Sequence, residues 1–179
     1  MKKEINVFDY ASDIMKALQS GVLLTTKAGD KVNSMTISWG TLGIEWGRPI
    51  FTVFVREHRF TKEQLEKNGE FTINIPVGAF NKKILGVCGS NSGRNMDKIK
   101  ELGLTLAEPD VISVPAVKEL PLTLECRVIN KQFQSPEAMM IDHKEKFYPQ
   151  NVDSSNPMAN KDYHTAFCGE IVSAYIITD

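Results

Sequence analysis

The segment REHRFTKEQ, residues 56–64, has the residue types of an anion-binding site. Arg56 and Arg59 stand just before a predicted helix, and Thr61 followed three residues later by Gln64 predicts a capping box with Thr61 as the N-cap. Guanidinium groups, a hydroxyl and free backbone N–H groups at a helix N-terminus can hold a phosphate monoester. A solvated basic turn with an ordinary helix cap is the alternative interpretation.

A second segment, NSMTISW at residues 33–39, is predicted to be a strand with two different faces. Alternation places hydroxyl side chains on one face, Ser34, Thr36 and Ser38, and apolar side chains on the other, Met35, Ile37 and Trp39. The hydroxyl face either faces solvent, as in many half-exposed strands, or forms a polar wall beside a planar heterocycle.

A third segment, GVCGSNSGR at residues 86–94, is rich in glycine and serine. It either forms a backbone nest for an anion or connects two helices. The segment lacks the GxxxxGK[ST] pattern, and no GxGxxG occurs in the chain, so neither a Walker loop nor a Rossmann fingerprint is predicted.

Proton chemistry near neutral pH would fall to the histidines, which are His58, His143 and His164. None has the HExxH spacing of a metal site, and no Gly-x-Ser-x-Gly elbow accompanies them, so neither a metal site nor a triad hydrolase is predicted. His164 begins the last predicted strand, where its role is either catalytic or structural. The three cysteines form no CxxC pair, which predicts buried thiols without a disulfide framework or zinc site.

The elements that position these segments are mostly strands. A short helix is predicted to end at Gly21, and two more at about 61–69 and 95–103. Strands are predicted in the hairpin GVLLTTK–AGD–KVNSMTISW, at 50–55 and 71–76, and through LTLECRVINKQF and HTAFCGEIVSAYI. Six or so strands with short helices favour an antiparallel barrel or sandwich over a βαβ fold. One domain, 1–179, is predicted, with 135–163 as a long loop or lid.

Composition excludes several classes of function. The 179 residues carry a formal net charge of -1, so no overall field favours nucleic acid or an anionic membrane. The N-terminus has no unbroken apolar core of a signal peptide, and no stretch approaches the roughly 18 apolar residues of a transmembrane helix. We therefore expect a cytoplasmic protein with no nucleic-acid or membrane partner.

Four motifs occur in one order: NSMTISW, RxxRFT, CGSNSGRNMDK and DYHTAFCGEIV. In this order and spacing, the chain from about Gly21 to Tyr175 resembles the flavin reductase-like family and is most similar to its flavoredoxin branch. The resemblance implies a mainly β, Greek-key split β-barrel with short helices, which forms a homodimer and binds FMN near the subunit interface.

The resemblance also implies the site residues. The flavin ring and ribityl chain would contact one strand, mainly through its backbone: Asn33, Ser34, Met35, Thr36, Ile37, Ser38 and Trp39. The phosphate would be held by Arg56, Arg59, Thr61, Ser90, Ser92, Arg94 and Lys98. Phe167 would pack near the ring, His164 would be the catalytic residue, and no metal is implied.

The function implied is that of an oxidoreductase. NADH or NADPH would reduce bound FMN, which would pass electrons to free flavin, a ferric complex or a partner protein. Reductase members carry Gly-Asp-His before the last strand, whereas this chain has Lys161-Asp162-Tyr163-His164, with Tyr163 inserted. A flavoredoxin-type electron carrier without its own NAD(P)H site is therefore the alternative. A binding module for haem or a pyridoxal derivative is a third.

Overall fold

The computed structural model describes residues 1–153 and 160–178, which contain ten strands and five α-helices. The strands are β1 Lys2–Glu4, β2 Val22–Ala28, β3 Lys31–Ile37, β4 Gly40–Glu45, β5 Arg48–Arg56, β6 Glu70–Ile75, β7 Leu106–Ala107, β8 Ala116–Val117, β9 Leu122–Phe133 and β10 His164–Ile177. The helices are α1 Ala11–Ser20, α2 Phe60–Lys67, α3 Lys83–Ser90, α4 Lys98–Leu102 and α5 Ile141–Phe147.

The main sheet is antiparallel throughout, in the order β3-β2-β6-β9-β10-β5-β4, with β1 also paired to β10. Sequence-distant strands are neighbours, as in β2–β6 and β5–β10, whereas β7 and β8 form a separate pair. The order leaves β3 and β4 as the two edge strands of the sheet. They do not pair with each other, so the sheet stays open between them, as in a split barrel. The predicted mainly β, antiparallel fold with short helices is confirmed.

Two apolar layers hold this sheet. The inner layer is formed by alternate strand residues, among them Val22, Leu24, Phe51, Val53, Phe71, Ile73, Leu122 and Leu124. The outer layer joins Leu23 of β2 to the segment that contains α3, α4 and β8, through Ile84, Cys88, Leu104, Val117 and Leu120. Since both faces of β2 are covered, its apolar run carries no alternation.

Several predicted boundaries are confirmed. β9 has the predicted limits, and β10 extends the predicted strand by one residue, to Ile177. α1 ends where Gly21 adopts a φ of 113°, and α4 ends where Gly103 adopts a φ of 61°, conformations that a residue with a Cβ rarely adopts. Within the described residues, no helix has the length and apolar character needed to cross a membrane.

The interpretation of the β3 hydroxyl face as solvent-facing is wrong for Ser34 and Thr36. Ser34 is fully buried with its Oγ 2.8 Å from Thr25 Oγ1, and Thr36 Oγ1 donates to the Leu85 carbonyl of α3 at 2.6 Å. These two residues of the face are therefore engaged within the fold, and Thr36 and Ser38 also line the smaller cavity described below. β3 also ends at Ile37, so residues 38–39 lie beyond the strand.

Two predicted loops contain helix. Residues 86–90 of the glycine-rich segment form the second half of α3, and only the remainder connects it to α4. The predicted long loop at 135–163 contains a 3-10 turn, Pro136–Ala138, and then α5. Part of that predicted loop, residues 154–159, lies outside the described residues.

We expect the tight contact between β10 and the inner core to tolerate no side chain at Gly169. A Cβ there would lie 2.5 Å from Cζ of the buried Phe71 ring and 2.9 Å from Cβ of Cys126. Gly169→Ala should lower the free energy of unfolding by about 1–3 kcal/mol in urea denaturation. Gly43→Ala in β4, where no atom lies within 4 Å, is the matched control and should change it by less than about 1 kcal/mol. Equal effects of the two substitutions would contradict this packing.

Candidate functional site

A cleft runs along β3 at the open edge of the sheet, where α2 and α3 pack beside β2 and β3. It consists of two adjoining cavities of about 380 Å³ and about 270 Å³. Both are lined by Met35, Arg56, Arg59, Gly89 and Asn160. The larger cavity lies beside the start of α2, and the smaller one beside Trp39 and His164.

The start of α2 opens onto the larger cavity, but the predicted capping box is wrong. Arg59 is the N-cap, no side chain caps the helix, and Thr61 lies inside the first turn. Thr61 Oγ1 accepts a hydrogen bond from Asn33 Nδ2 at 3.2 Å, whereas Gln64 Oε1 accepts one from Thr26 Oγ1 at 2.6 Å. The first N–H groups of α2 are therefore left for a ligand, beside Phe60 and Thr61 in the cavity wall.

Lys98 of α4 is a buried cation in this cavity. Its side chain is held by two backbone carbonyls, since Nζ donates to Asn91 at 3.2 Å and to Cys88 at 3.5 Å. No carboxylate among the described residues forms an ion pair with it. Burial lowers the pKa of Lys98, and the nearby Arg59 guanidinium lowers it further, so an anion bound here would stabilise the charged form.

Arg59 adds a second positive charge without a counter-charge. It lines both cavities, and none of the ion pairs in the described chain involves it. Asp162 also lines the larger cavity, but its carboxylate accepts from the His58 backbone N–H at 2.9 Å and lies 3.1 Å from His58 Nδ1. The wall formed by Arg59, Lys98 and the start of α2 therefore has the charge and the donors of a phosphate site.

The connection after α3 completes this wall. Ser92 and Arg94 line the larger cavity as expected, while Arg94 donates to the His58 carbonyl and pairs with Glu63. Gly93 approaches Asn33 and Phe60 so closely that a Cβ there would overlap both side chains. A larger residue would therefore require these side chains to shift.

Arg56 lies in both cavities, but its guanidinium holds the chain that leads into β10. Nη1 donates to the carbonyls of Asn160 and Asp162 at 3.2 and 2.6 Å, and Nη2 donates to that of Phe147 at 3.0 Å. The predicted phosphate contact is therefore corrected: Arg56 contributes charge to the cleft, while most of its donors bind backbone. Arg56 thereby fixes the backbone of Phe147, Asn160 and Asp162 beside the cleft.

His164 lies at the far end of the cleft because β10 begins there, directly opposite Arg56 in the β5–β10 register. Its Nδ1 lies 2.8 Å from the Tyr148 hydroxyl, and its ring centroid is 5.2 Å from that of Trp39. Burial, assisted by the charge of Arg56, lowers the pKa of His164 to about 4. The imidazole is therefore neutral at pH 7.

Three predicted side chains lie away from the cleft. Phe167 is 1% exposed within the inner core, where alternation along β10 directs it. Ser34 is buried against Thr25, and Ser90 donates to the Gly86 carbonyl inside α3 at 2.8 Å. All the other predicted site residues line the cleft: Asn33, Met35, Thr36, Ile37, Ser38, Trp39, Arg56, Arg59, Thr61, Ser92, Arg94, Lys98 and His164.

Sequence patterns missed other cleft residues. Phe54, Phe60, Gly89, Asn91 and Asn160 also line it. Gly89 and Asn91 lie in the glycine-rich segment and Phe60 lies in the RxxRFT motif, so these segments could have indicated them. Phe54 and Asn160 carry no local signal. No group of three or more potential metal ligands occurs in the part of the chain that the structure describes.

The sequence model of the flavin reductase like domain matches residues 15–179. The chain belongs to the flavin reductase-like family. An uncharacterized family relative from Archaeoglobus fulgidus is 30% identical over 102 residues, which are 57% of this chain and 56% of that protein. The match thus spans little more than half of that relative's length.

Solved structures with the same fold span most of the chain. Flavoredoxin from Methanosarcina acetivorans is 25% identical, with a TM-score of 0.64 over 88% of this chain and 68% of that one. An FMN-binding domain of a flavin reductase-like enzyme from Shewanella baltica is 18% identical, with a TM-score of 0.65 over 98% of this chain and 77% of that one. An NADH:FAD oxidoreductase of Streptomyces globisporus is 15% identical, with a TM-score of 0.61 over 88% of this chain and 75% of that one. The predicted family and split-barrel fold are confirmed.

We expect inorganic phosphate to stabilise this family member through Lys98. Phosphate should raise the melting temperature more than chloride of equal ionic strength, by about 2–4 °C for each kcal/mol of binding. Lys98→Met should remove the site-specific part of the rise and, because it removes an unpaired buried charge, cost no stability without phosphate. Lys100→Met, at an exposed position of the same helix, is the control. An equal rise in wild type and Lys98→Met would count against the site.

We also expect His164 to make stability depend on pH. Its folded-state pKa of about 4 lies below the ordinary value of 6.5, so the unfolded chain takes up a proton first as the pH falls. The contribution of neutral His164 to the free energy of unfolding is therefore complete above about pH 6.5. It is lost toward pH 4, by up to about 1.4 kcal/mol per pH unit. Urea denaturation should show a shallower loss in His164→Gln than in wild type. Parallel profiles would show that the histidine is not buried as a neutral group.

Proposed function

We propose that the cleft binds FMN, with the phosphate at Arg59, Lys98 and the start of α2 and the ring between β3 and His164. The proposal depends on one observation: Lys98 is buried and forms no ion pair with a carboxylate of the described residues. A buried cation of this kind favours an anionic partner. The name of the Shewanella baltica domain, which binds FMN, supports this choice of anion. The volumes of about 380 and 270 Å³ suit an elongated ligand with one charged and one planar end.

The chain would hold the two ends of the ligand by different means. Charge-assisted hydrogen bonds from Arg59 and Lys98 would fix the phosphate, and β3 offers backbone groups on its unpaired edge to the ring. Trp39, which contacts Phe147 edge-on at 5.4 Å and also packs near His164, would exclude water from the ring's end of the cleft. Bound FMN supplies hydride and electron transfer, for which the protein supplies orientation and access.

The activity proposed is an FMN-dependent NAD(P)H oxidoreductase that passes electrons to free flavin, a ferric complex or a redox partner protein. The Streptomyces globisporus structure, named as an NADH:FAD oxidoreductase, supports a nicotinamide donor. His164 is the residue we expect to contact the reacting molecules, because it lines the smaller cavity together with Met35 and Ile37. It would do so as a neutral hydrogen-bonding group.

An electron carrier without its own NAD(P)H site is the second candidate, and one observation favours it. Phe147 and Tyr148 cover the end of the cleft: Phe147 lies against Trp39, and Tyr148 against His164 and Tyr163. This cover narrows the space for a second ring beside His164. The Methanosarcina acetivorans neighbour, named a flavoredoxin, is in keeping with such a role.

One spectroscopic experiment separates the candidates. The protein is mixed with FMN, gel-filtered, and then treated with NADH or NADPH under anaerobic conditions. We expect a retained flavin absorbance band that bleaches with one of the nucleotides. A retained band that bleaches only with dithionite or a reductase would favour the carrier, and a band lost on the column would refute FMN binding.

We further propose that the protein is a homodimer. β3 and β4 form exposed sheet edges, which proteins commonly cover, and Ile44 and Trp46 on the β4–β5 hairpin are 68% and 66% exposed. Sedimentation at micromolar concentration should give a mass near 40 kDa, twice the chain's 20.0 kDa. A mass of one chain would remove this proposal.

A further inference from the structure

The Tyr148 hydroxyl lies between His164 and Gln134. It is 2.8 Å from His164 Nδ1 and 2.9 Å from Gln134 Oε1. Tyr148 is 6% exposed and His164 is 5% exposed, so their contact is shielded from water, whereas Gln134 is half-buried. The three side chains therefore form a row of hydrogen bonds, Gln134–Tyr148–His164, at the end of the cleft.

The order of donors in this chain follows from Gln134. Its carbonyl oxygen Oε1 can only accept, so the single hydroxyl proton of Tyr148 is donated to it. The Tyr148 oxygen is then an acceptor toward His164, whose Nδ1 must carry a proton. Because a neutral imidazole carries one N–H, Nε2 is left without a proton.

Nε2 is the nitrogen of His164 that remains for a ligand. Every hydrogen bond of the His164 side chain to the described residues is made through Nδ1, and the ring lines the smaller cavity. Charged and titratable groups near the ring are Arg56, Arg59, Asp162 and Tyr148. The two arginines disfavour a second proton on the ring, in agreement with the neutral state described above.

Tyr148 is held firmly enough to set this arrangement. The Arg56 guanidinium lies 5.0 Å above the Tyr148 ring and also binds the preceding Phe147 carbonyl. Gln150 Nε2 donates to the Tyr148 carbonyl at 2.8 Å. Gln134 is itself fixed, because its backbone N–H donates to the His164 carbonyl at 3.0 Å.

We propose that Tyr148 is a positioning residue that holds His164 in the Nδ1–H tautomer and presents the bare Nε2 as a hydrogen-bond acceptor to the molecule in the smaller cavity. The identity of that molecule as a redox substrate beside FMN rests on the proposed function, whereas the tautomer does not. A bare nitrogen selects substrates that present an N–H or O–H group there, such as an amide, over those that present a carboxylate. At neutral pH, His164 thus presents an acceptor and not an acidic proton to this molecule, while its Nδ1–H donates to Tyr148.

The tautomer is tested by ¹⁵N NMR of histidine-labelled protein, with His164 assigned from His164→Gln. We expect the wild type to show a protonated Nδ1 and a bare Nε2. Tyr148→Phe should lose this preference and move toward the Nε2–H form. Gln134→Glu, which replaces the amide by a carboxylate that can only accept, should keep the wild-type tautomer. An Nε2–H form in the wild type, or no change in Tyr148→Phe, would overturn the proposal.

A kinetic readout uses the FMN-loaded protein. Tyr148→Phe should slow flavin reduction by about tenfold while FMN affinity is retained, as expected for the loss of one oriented hydrogen bond. Tyr163→Phe is the matched control: its ring contacts Tyr148 at 5.0 Å, and its hydroxyl makes no hydrogen bond to the described residues, so the rate should not change. Equal rates for Tyr148→Phe and wild type would overturn the proposed contribution. If no nucleotide reduces the wild type, the proposed function fails while the NMR result still decides the tautomer.

Discussion

Two positive charges without counter-charges determine how the cleft must work. Lys98 is 3% exposed and held by backbone carbonyls, while Arg59 lies beside it, and no carboxylate of the described chain pairs with either. Burying such charges costs free energy unless an anion joins them. The uncapped start of α2 adds unpaired N–H groups to the same wall. This wall therefore favours an anionic ligand, which the proposed function identifies as FMN.

The other end of the cleft depends on one strand register. Arg56 and His164 are paired residues of β5 and β10, so the sheet itself places a cation beside the imidazole. Arg56 then binds the carbonyls of Phe147, Asn160 and Asp162, which draws Tyr148 onto His164. The Arg56 guanidinium therefore links the sheet to the backbone of Phe147, Asn160 and Asp162, and through Tyr148 it affects the hydrogen bonding of His164. This connection also explains why Arg56 is not primarily a phosphate ligand.

Local patterns were sufficient to predict what local physics determines. The limits of β9 and the ends of α1 and α4 followed from alternation and from glycine at helix termini. The burial of Ser34 and the hydrogen bond from Thr36 to α3 could not be predicted, because α3 is distant from β3 in sequence. The partners of Arg56 and the hydroxyl of Tyr148 were missed for the same reason: a basic residue and an aromatic one carry no sign of which distant carbonyl or imidazole they will meet.

Affinity for FMN compared with riboflavin, measured by flavin fluorescence in the wild type and in Lys98→Met, tests the account most directly. The two ligands differ only by the phosphate, so their difference in binding isolates the site at Lys98 and Arg59. We predict that the wild type binds FMN at least about tenfold more tightly than riboflavin, and that Lys98→Met loses most of this difference while its riboflavin affinity is unchanged. Equal affinities in the wild type, or a preference for FMN that survives in Lys98→Met, would contradict the account.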